Sequence, residues 1–175
     1  MQGNNNLFKI IGIRVLPECD KRLRKVLRPD TTYFLCNDYE DDGKGGVQLR
    51  QDAQPLSTSF FHRGNGWTGP HVNISCVVGH NGDGKSSLVE LIIRLINNFA
   101  YLSGFLSDHS DLIFIPGLHV KLFYFVNNSV CSISCLGDKV ELMIGETIRY
   151  SWDYTPGKLQ HVRRTKRFFI ENTDT

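Results

Sequence analysis

The most specific chemistry in this chain lies in eight consecutive residues, Gly79-His80-Asn81-Gly82-Asp83-Gly84-Lys85-Ser86. They match G-x-x-x-x-G-K-[ST] in full, the pattern of a loop that cradles phosphate groups. At average residue frequencies a chance match in a chain this long is roughly a 1% event. The pattern has a physical logic. Gly79, Gly82 and Gly84 let the backbone take tight or left-handed conformations that a Cβ would obstruct. The N–H groups of Gly82, Asp83, Gly84, Lys85, Ser86 and Ser87 can then converge on phosphate oxygens, where a helix start favours an anion. Lys85 is the candidate catalytic residue, reaching the β- and γ-phosphates, and the Ser86 hydroxyl is the candidate metal ligand, filling one Mg²⁺ position. The plainer reading is a glycine-rich turn with no ligand.

Such a loop works only between a strand and a helix, and the flanking sequence offers both. Val72 to Val78 (VNISCVV) reads as a buried strand, and Lys85 to about Leu102 as the longest helix. Leu88, Leu91, Ile92, Leu95, Phe99 and Leu102 follow helical spacing, while Val89, Ile93 and Ile96 fill much of the remaining circumference. A helix apolar nearly all round is expected to be buried inside a larger fold. Glu90 and Arg94 are spaced to form an i,i+4 pair. Asn97 and Asn98 are read as a fraying end or a cap.

Strand signals surround this unit. Leu7 to Leu16 stops at Pro17, and Thr31 to Cys36 forms a second candidate. Residues 37–58 are polar and glycine-rich, as in a loop or hairpin. After the helix come Leu112 to Ile115, His119 to Val126, Val130 to Leu136 and Val140 to Ile144, joined by short turns. The order is α/β with an added antiparallel β region over 112–150.

Other features carry less. Gly64 to Gly69 fits G-x-G-x-x-G but precedes a strand, the wrong context for dinucleotide binding. Asp42-Gly43-Lys44-Gly45 fits a GTPase D-x-x-G, yet lies upstream of the phosphate loop, and no N-K-x-D sequence accompanies it. The five cysteines (Cys19, Cys36, Cys76, Cys131, Cys135) form no C-x-x-C pair. Cys131 and Cys135 share a strand face with Ile133 and read as small buried hydrophobes. The six histidines lack metal-ligand spacing. Two basic clusters, Lys21 to Arg28 and His161 to Arg167, could face nucleic acid, although such short runs are more often solvated faces.

Composition sets the frame. The chain has 175 residues, 20 Lys or Arg against 18 Asp or Glu, and 41% hydrophobic residues, so it is globular rather than disordered. No apolar run reaches the ~18 residues of a membrane span. The start, Met1-Gln2-Gly3-Asn4-Asn5-Asn6, lacks a signal-peptide pattern, and a cytoplasmic location is expected.

From Val72 to Asn98 the sequence resembles the ABC-type ATPases, in particular the branch with the structural-maintenance-of-chromosomes (SMC), RecF-like and OLD-like ATPases of DNA repair and phage defence. The likeness rests on G-x-N-G-x-G-K-S-S-L-x-E, here Gly79 to Glu90. Asn81 matches the N-G of that branch. The resemblance implies an N-terminal lobe of an ABC/SMC-like ATPase, with an antiparallel β-subdomain packed beside a P-loop strand and central helix. It implies ATP and Mg²⁺ as ligands. The implied partner is a second ATPase head, either a homodimer mate or a C-terminal half.

The family places an aromatic upstream of the loop against adenine, for which Phe60, Phe61 and Trp67 are candidates. It also requires an apolar run ending in Asp-Glu and an S-G-G-Q-like signature, and neither occurs. Phe168-Phe169-Ile170-Glu171 approaches the first, and Gln160 is the nearest glutamine-loop candidate. Binding of ATP without efficient hydrolysis is therefore expected. A small self-contained phosphotransferase and a non-hydrolysing interaction domain are the alternatives.

Overall fold

The computed structural model describes residues 8–53, 76–78, 80–104, 112–126 and 128–156. The N-terminal apolar run forms β1 (Lys9–Val15), whose side chains alternate between a buried face and a more polar one. A short turn leads to α1 (Lys21–Arg24), a single helical turn capped by Asp20, whose carboxylate accepts the Arg22 N–H at 2.8 Å. Then come β2 (Thr31–Phe34) and a small hairpin of β3 (Tyr39–Asp41) and β4 (Val47–Leu49). The long helix is α2 (Lys85–Ser103), closed by Gly104 in the left-handed conformation. Four strands follow in a meander: β5 (His119–Val126), β6 (Ser129–Leu136), β7 (Lys139–Ile144) and β8 (Thr147–Asp153).

Six of these strands make one sheet in the order β2-β1-β5-β6-β7-β8, with every neighbouring pair antiparallel. The fold is thus of α/β type, dominated by an antiparallel sheet with few helices. β1 pairs β5 across a long excursion of the chain, so the sheet is closed by a non-local contact, with Ile13 opposite Leu122 and Val15 opposite Val120.

The sheet buries one face against α2. Leu88, Leu91, Leu95, Asn98 and Leu102 recur at intervals of three and four, a stripe along one side of the helix. That stripe meets Ile13, Val15, Val120, Leu122, Cys135 and Val140 in a single core. Cys131 and Cys135 are buried free thiols on the same strand face, as the alternation along β6 predicts. Burial pushes the Cys135 thiol up to about 11.

Several sequence expectations need correction. The predicted strand Val72 to Val78 is absent over 76–78, where Val77 and Val78 are exposed and gain nothing from pairing; residues 72–75 lie outside the described residues. Nor is α2 buried all round. Val89, Ile93 and Ile96 are 49%, 61% and 48% exposed, because the sheet covers only the opposite side. Residues 112–115 form no strand.

Those residues are held by α2 instead, and Asn98 is neither a cap nor a frayed end. Its side chain is fully buried, its Nδ2 donates to the Ile115 carbonyl at 2.8 Å, and its Oδ1 accepts the Ile115 N–H at 2.9 Å. Asn97 donates to the Ile113 carbonyl at 2.8 Å. The helix therefore supplies the ladder partners that a strand neighbour would have given. β8 carries no strand prediction, and residues 147–151 are exposed.

Replacing Asn98 with Leu leaves the Ile115 backbone groups without partners and lowers stability by about 2 kcal/mol, measurable by urea unfolding. In a native-state assay with a disulfide reagent, the exposed Cys76 reacts first. The buried Cys19, Cys36, Cys131 and Cys135 wait for unfolding, and faster reaction at any of these four contradicts the packing described.

Candidate phosphate-binding loop

Between the exposed Val78 and the start of α2 the chain turns through His80 to Gly84. Gly82 and Gly84 both have φ of +93°, a conformation that L side chains rarely adopt. The glycines at these two positions are thus required by the local geometry. Gly84 has a further reason. A Cβ there would lie 2.8 Å from Leu27 Cδ2 and 2.9 Å from Val26 Cγ2, whereas one on Gly82 would meet open space. Gly79 lies outside the described residues.

The first helical hydrogen bond of α2 runs from the Leu88 N–H to the Gly84 carbonyl, at 2.9 Å. Gly84 has no side chain to cap the turn before it. The N–H groups of Ser86 and Ser87 precede the helical ladder and point out of the helix end, where the dipole favours negative charge. Ser86, the candidate metal ligand, is exposed, and Ser87 is buried. Asn81 is exposed in the turn.

Lys85 and Asp83 both turn inward upon His80. Lys85 Nζ donates to the His80 carbonyl at 2.7 Å. The Asp83 carboxylate accepts the His80 N–H at 2.5 Å, and the Asp83 N–H donates to the same His80 carbonyl at 3.3 Å. His80, an unspecified x in the pattern, is thus the loop's internal anchor through its backbone. Its part is invisible in the sequence because only main-chain atoms are used.

The basic run after β1 braces this region from outside. Lys25 forms an ion pair with Glu90, and Glu90 also pairs with Arg94 one turn further along α2. The hydrogen bond from Lys25, with that from Arg94, holds the Glu90 carboxyl down at about 2. Leu27 is buried in the core shared with Leu88 and Leu91. Nothing local in the sequence links Lys25 to Glu90; the contact follows from packing Leu27 beneath the helix start. The Lys21 to Arg28 run is also less free for nucleic acid than its composition suggests. Arg22 pairs with Asp20 at 2.7 Å, and Arg24 donates to the Leu27 carbonyl at 2.9 Å.

The GTPase-like Asp42-Gly43-Lys44-Gly45 is the turn of the β3–β4 hairpin. The Asp42 carboxylate accepts the N–H groups of Lys44 and Gly46, each at 2.8 Å, which occupies it within its own turn. Phe60, Phe61, Trp67, Gly64 to Gly69, Gln160, the His161 to Arg167 cluster and Phe168 to Glu171 lie outside the described residues. Among the described residues, no three His, Cys, Asp or Glu side chains gather as a metal cluster, and no helix is long and apolar enough to cross a membrane.

Comparisons with protein-family models, curated proteins and solved structures found no match.

The two loop glycines can be told apart by substitution. Gly82→Ala meets only the backbone cost of its φ, about 1 kcal/mol. Gly84→Ala adds a clash with Leu27 and Val26 and loses about 1 kcal/mol more, as thermal unfolding of the pair will show.

Proposed function

We propose that this chain is an ATP-binding module that holds Mg²⁺-ATP on the loop from Gly79 to Ser87. The observation that supports the reading is a full phosphate-loop sequence with left-handed glycines running into a helix start, although residues 76–78 before it form no strand. Two glycines at φ +93° run into a 19-residue helix whose first N–H groups face outward, with Lys85 folded into the loop. In this reading the backbone N–H groups bind phosphate oxygens. Lys85 leaves the His80 carbonyl to reach the β- and γ-phosphates, and Ser86 ligates Mg²⁺.

The wider proposal follows the resemblance: the module is the N-terminal part of an ABC/SMC-like P-loop ATPase acting in DNA repair or phage defence. ATP binding there drives association with a second head or a C-terminal half. The exposed stripe Val89, Ile93 and Ile96 supports further protein packing on α2, since an apolar helix face gains from being covered. A contact with nucleic acid is a weaker part of the proposal, given the internal pairing of Arg22 and Lys25.

Calorimetric titration with ATP in Mg²⁺ tests the reading. The wild-type chain shows saturable binding heat without sustained hydrolysis heat, and Lys85→Ala weakens binding by at least about tenfold through loss of a charge-assisted phosphate contact. Equal, negligible affinity in both proteins removes the proposal and leaves an interaction domain with a structural loop. Steady turnover with a phosphate acceptor replaces it with a small phosphotransferase.

A further inference from the structure

We propose that Asp83 is a built-in latch on the phosphate seat, fixing His80 so that its carbonyl holds Lys85 and the loop closed until nucleotide displaces it. The inference rests on the ATP-binding reading above and concerns how that site is regulated.

A phosphate loop works by presenting backbone N–H donors and a lysine ammonium to an incoming anion. Here two of those donors, Lys85 Nζ and the Asp83 N–H, are already taken by the His80 carbonyl, and the Asp83 carboxylate fixes His80 in that place. The Asp83 carboxylate accepts the His80 N–H, a charge-assisted bond. Lys85 Nζ sits on the carbonyl of the same residue at 2.7 Å, and the Asp83 N–H shares that carbonyl at 3.3 Å. Three hydrogen bonds therefore tie the far end of the loop to its helix-proximal end, all through the backbone of one exposed residue.

The pattern G-x-x-x-x-G-K-[ST] leaves the position of Asp83 unspecified. Its backbone makes no demand for an acid, since a neutral side chain gives the same N–H. An acid here has two consequences for a polyphosphate. Its charge repels the incoming anion within a few ångströms, where screening by salt is weak. Its hydrogen bond to His80 must also break before the loop can open around a phosphate. Both make nucleotide affinity lower than the loop itself could deliver, and both are relieved by a cation at the site. Nucleotide capture by this chain is consequently steep in Mg²⁺, which screens the carboxylate and the phosphates together.

The test compares Mg²⁺-ATP affinity in wild type, Asp83→Ser, Asp83→Asn and Lys85→Ala, with amide hydrogen exchange at His80 in the nucleotide-free proteins. Asp83 is exposed, so the variants keep the fold, which thermal unfolding checks. Asp83→Ser binds about tenfold tighter than wild type, the effect of removing one charge-assisted contact and its repulsion. Asp83→Asn keeps an acceptor for the His80 N–H and gains less. Exchange at His80 is slow in wild type and faster in Asp83→Ser.

Equal or weaker binding by Asp83→Ser overturns the proposal, because an Asp83 that ligates Mg²⁺ would be missed when removed. Unchanged exchange at His80 overturns it as well. If wild type binds, Lys85→Ala does not, and Asp83→Ser matches wild type, only this inference falls. If none of the proteins binds, the ATP reading falls and takes the inference with it.

Discussion

The contact on which the loop depends is the seating of α2 across the antiparallel sheet. Leu88, Leu91, Leu95 and Leu102 meet Ile13, Val15, Val120, Leu122 and Val140 in one core. A fully buried leucine contributes on the order of 2 kcal/mol relative to exposure, so this stripe fixes the helix axis strongly. At one end, Asn98 clamps residue 115; at the other, Leu27 fills the space beside Gly84. With both ends held, the start of the helix has little freedom, and the N–H groups of Ser86 and Ser87 are pointed before any ligand arrives. Preorganisation of this kind lowers the ordering cost of binding an anion.

The β1 to β2 excursion explains why a basic run lies beside the candidate phosphate loop without forming an open cationic surface. β1 lies between the edge strand β2 and β5, and the segment joining β1 to β2 carries α1 against α2. Leu27 is drawn into the core there, and Lys25 is placed opposite Glu90. The result is a brace. Glu90 is shared between Lys25 and Arg94, and with that part exposed its value is modest and falls with salt. Its carboxyl, held at about 2, contributes above the ordinary carboxylate range and is lost only as pH falls towards that value.

Much of this was legible from residue spacing, and the failures share a cause. β1, β5, β6 and β7 announce themselves because at least one face is buried and apolar residues recur along it, and β2, only part-buried, through its β-branched and aromatic residues. The helix announces itself through Leu88 to Leu102. β8 hides because Ile148 and Tyr150 sit on an exposed end of the meander, where burial does not select the pattern. Residues 112–115 look like a strand because Leu112, Ile113, Phe114 and Ile115 are apolar, but Asn97 and Asn98 capture their backbone before a neighbouring strand can. The loop's sequence shows which residues must be glycine; it cannot show that Asp83 and Lys85 close on His80, because those bonds use backbone atoms common to every residue.

The same geometry bears on whether a bound nucleotide would be hydrolysed. Attack by water needs a base that is free to take or orient a proton. In the loop and the first two turns of α2 the carboxylates are Asp83 and Glu90. Asp83 is engaged by the His80 N–H, and its position between the glycines sets it among the phosphate-binding groups rather than beyond the terminal phosphate. Glu90 lies five residues past Lys85, roughly 7.5 Å along the axis, and two cations stabilise its ionised form. A carboxyl held at about 2 is a weak base at neutral pH. Neither acid is arranged to activate water, so on the ATP-binding reading proposed above the loop and helix start would hold a nucleotide rather than cleave it. Turnover on this loop would need a carboxylate brought from elsewhere in the chain or from a partner.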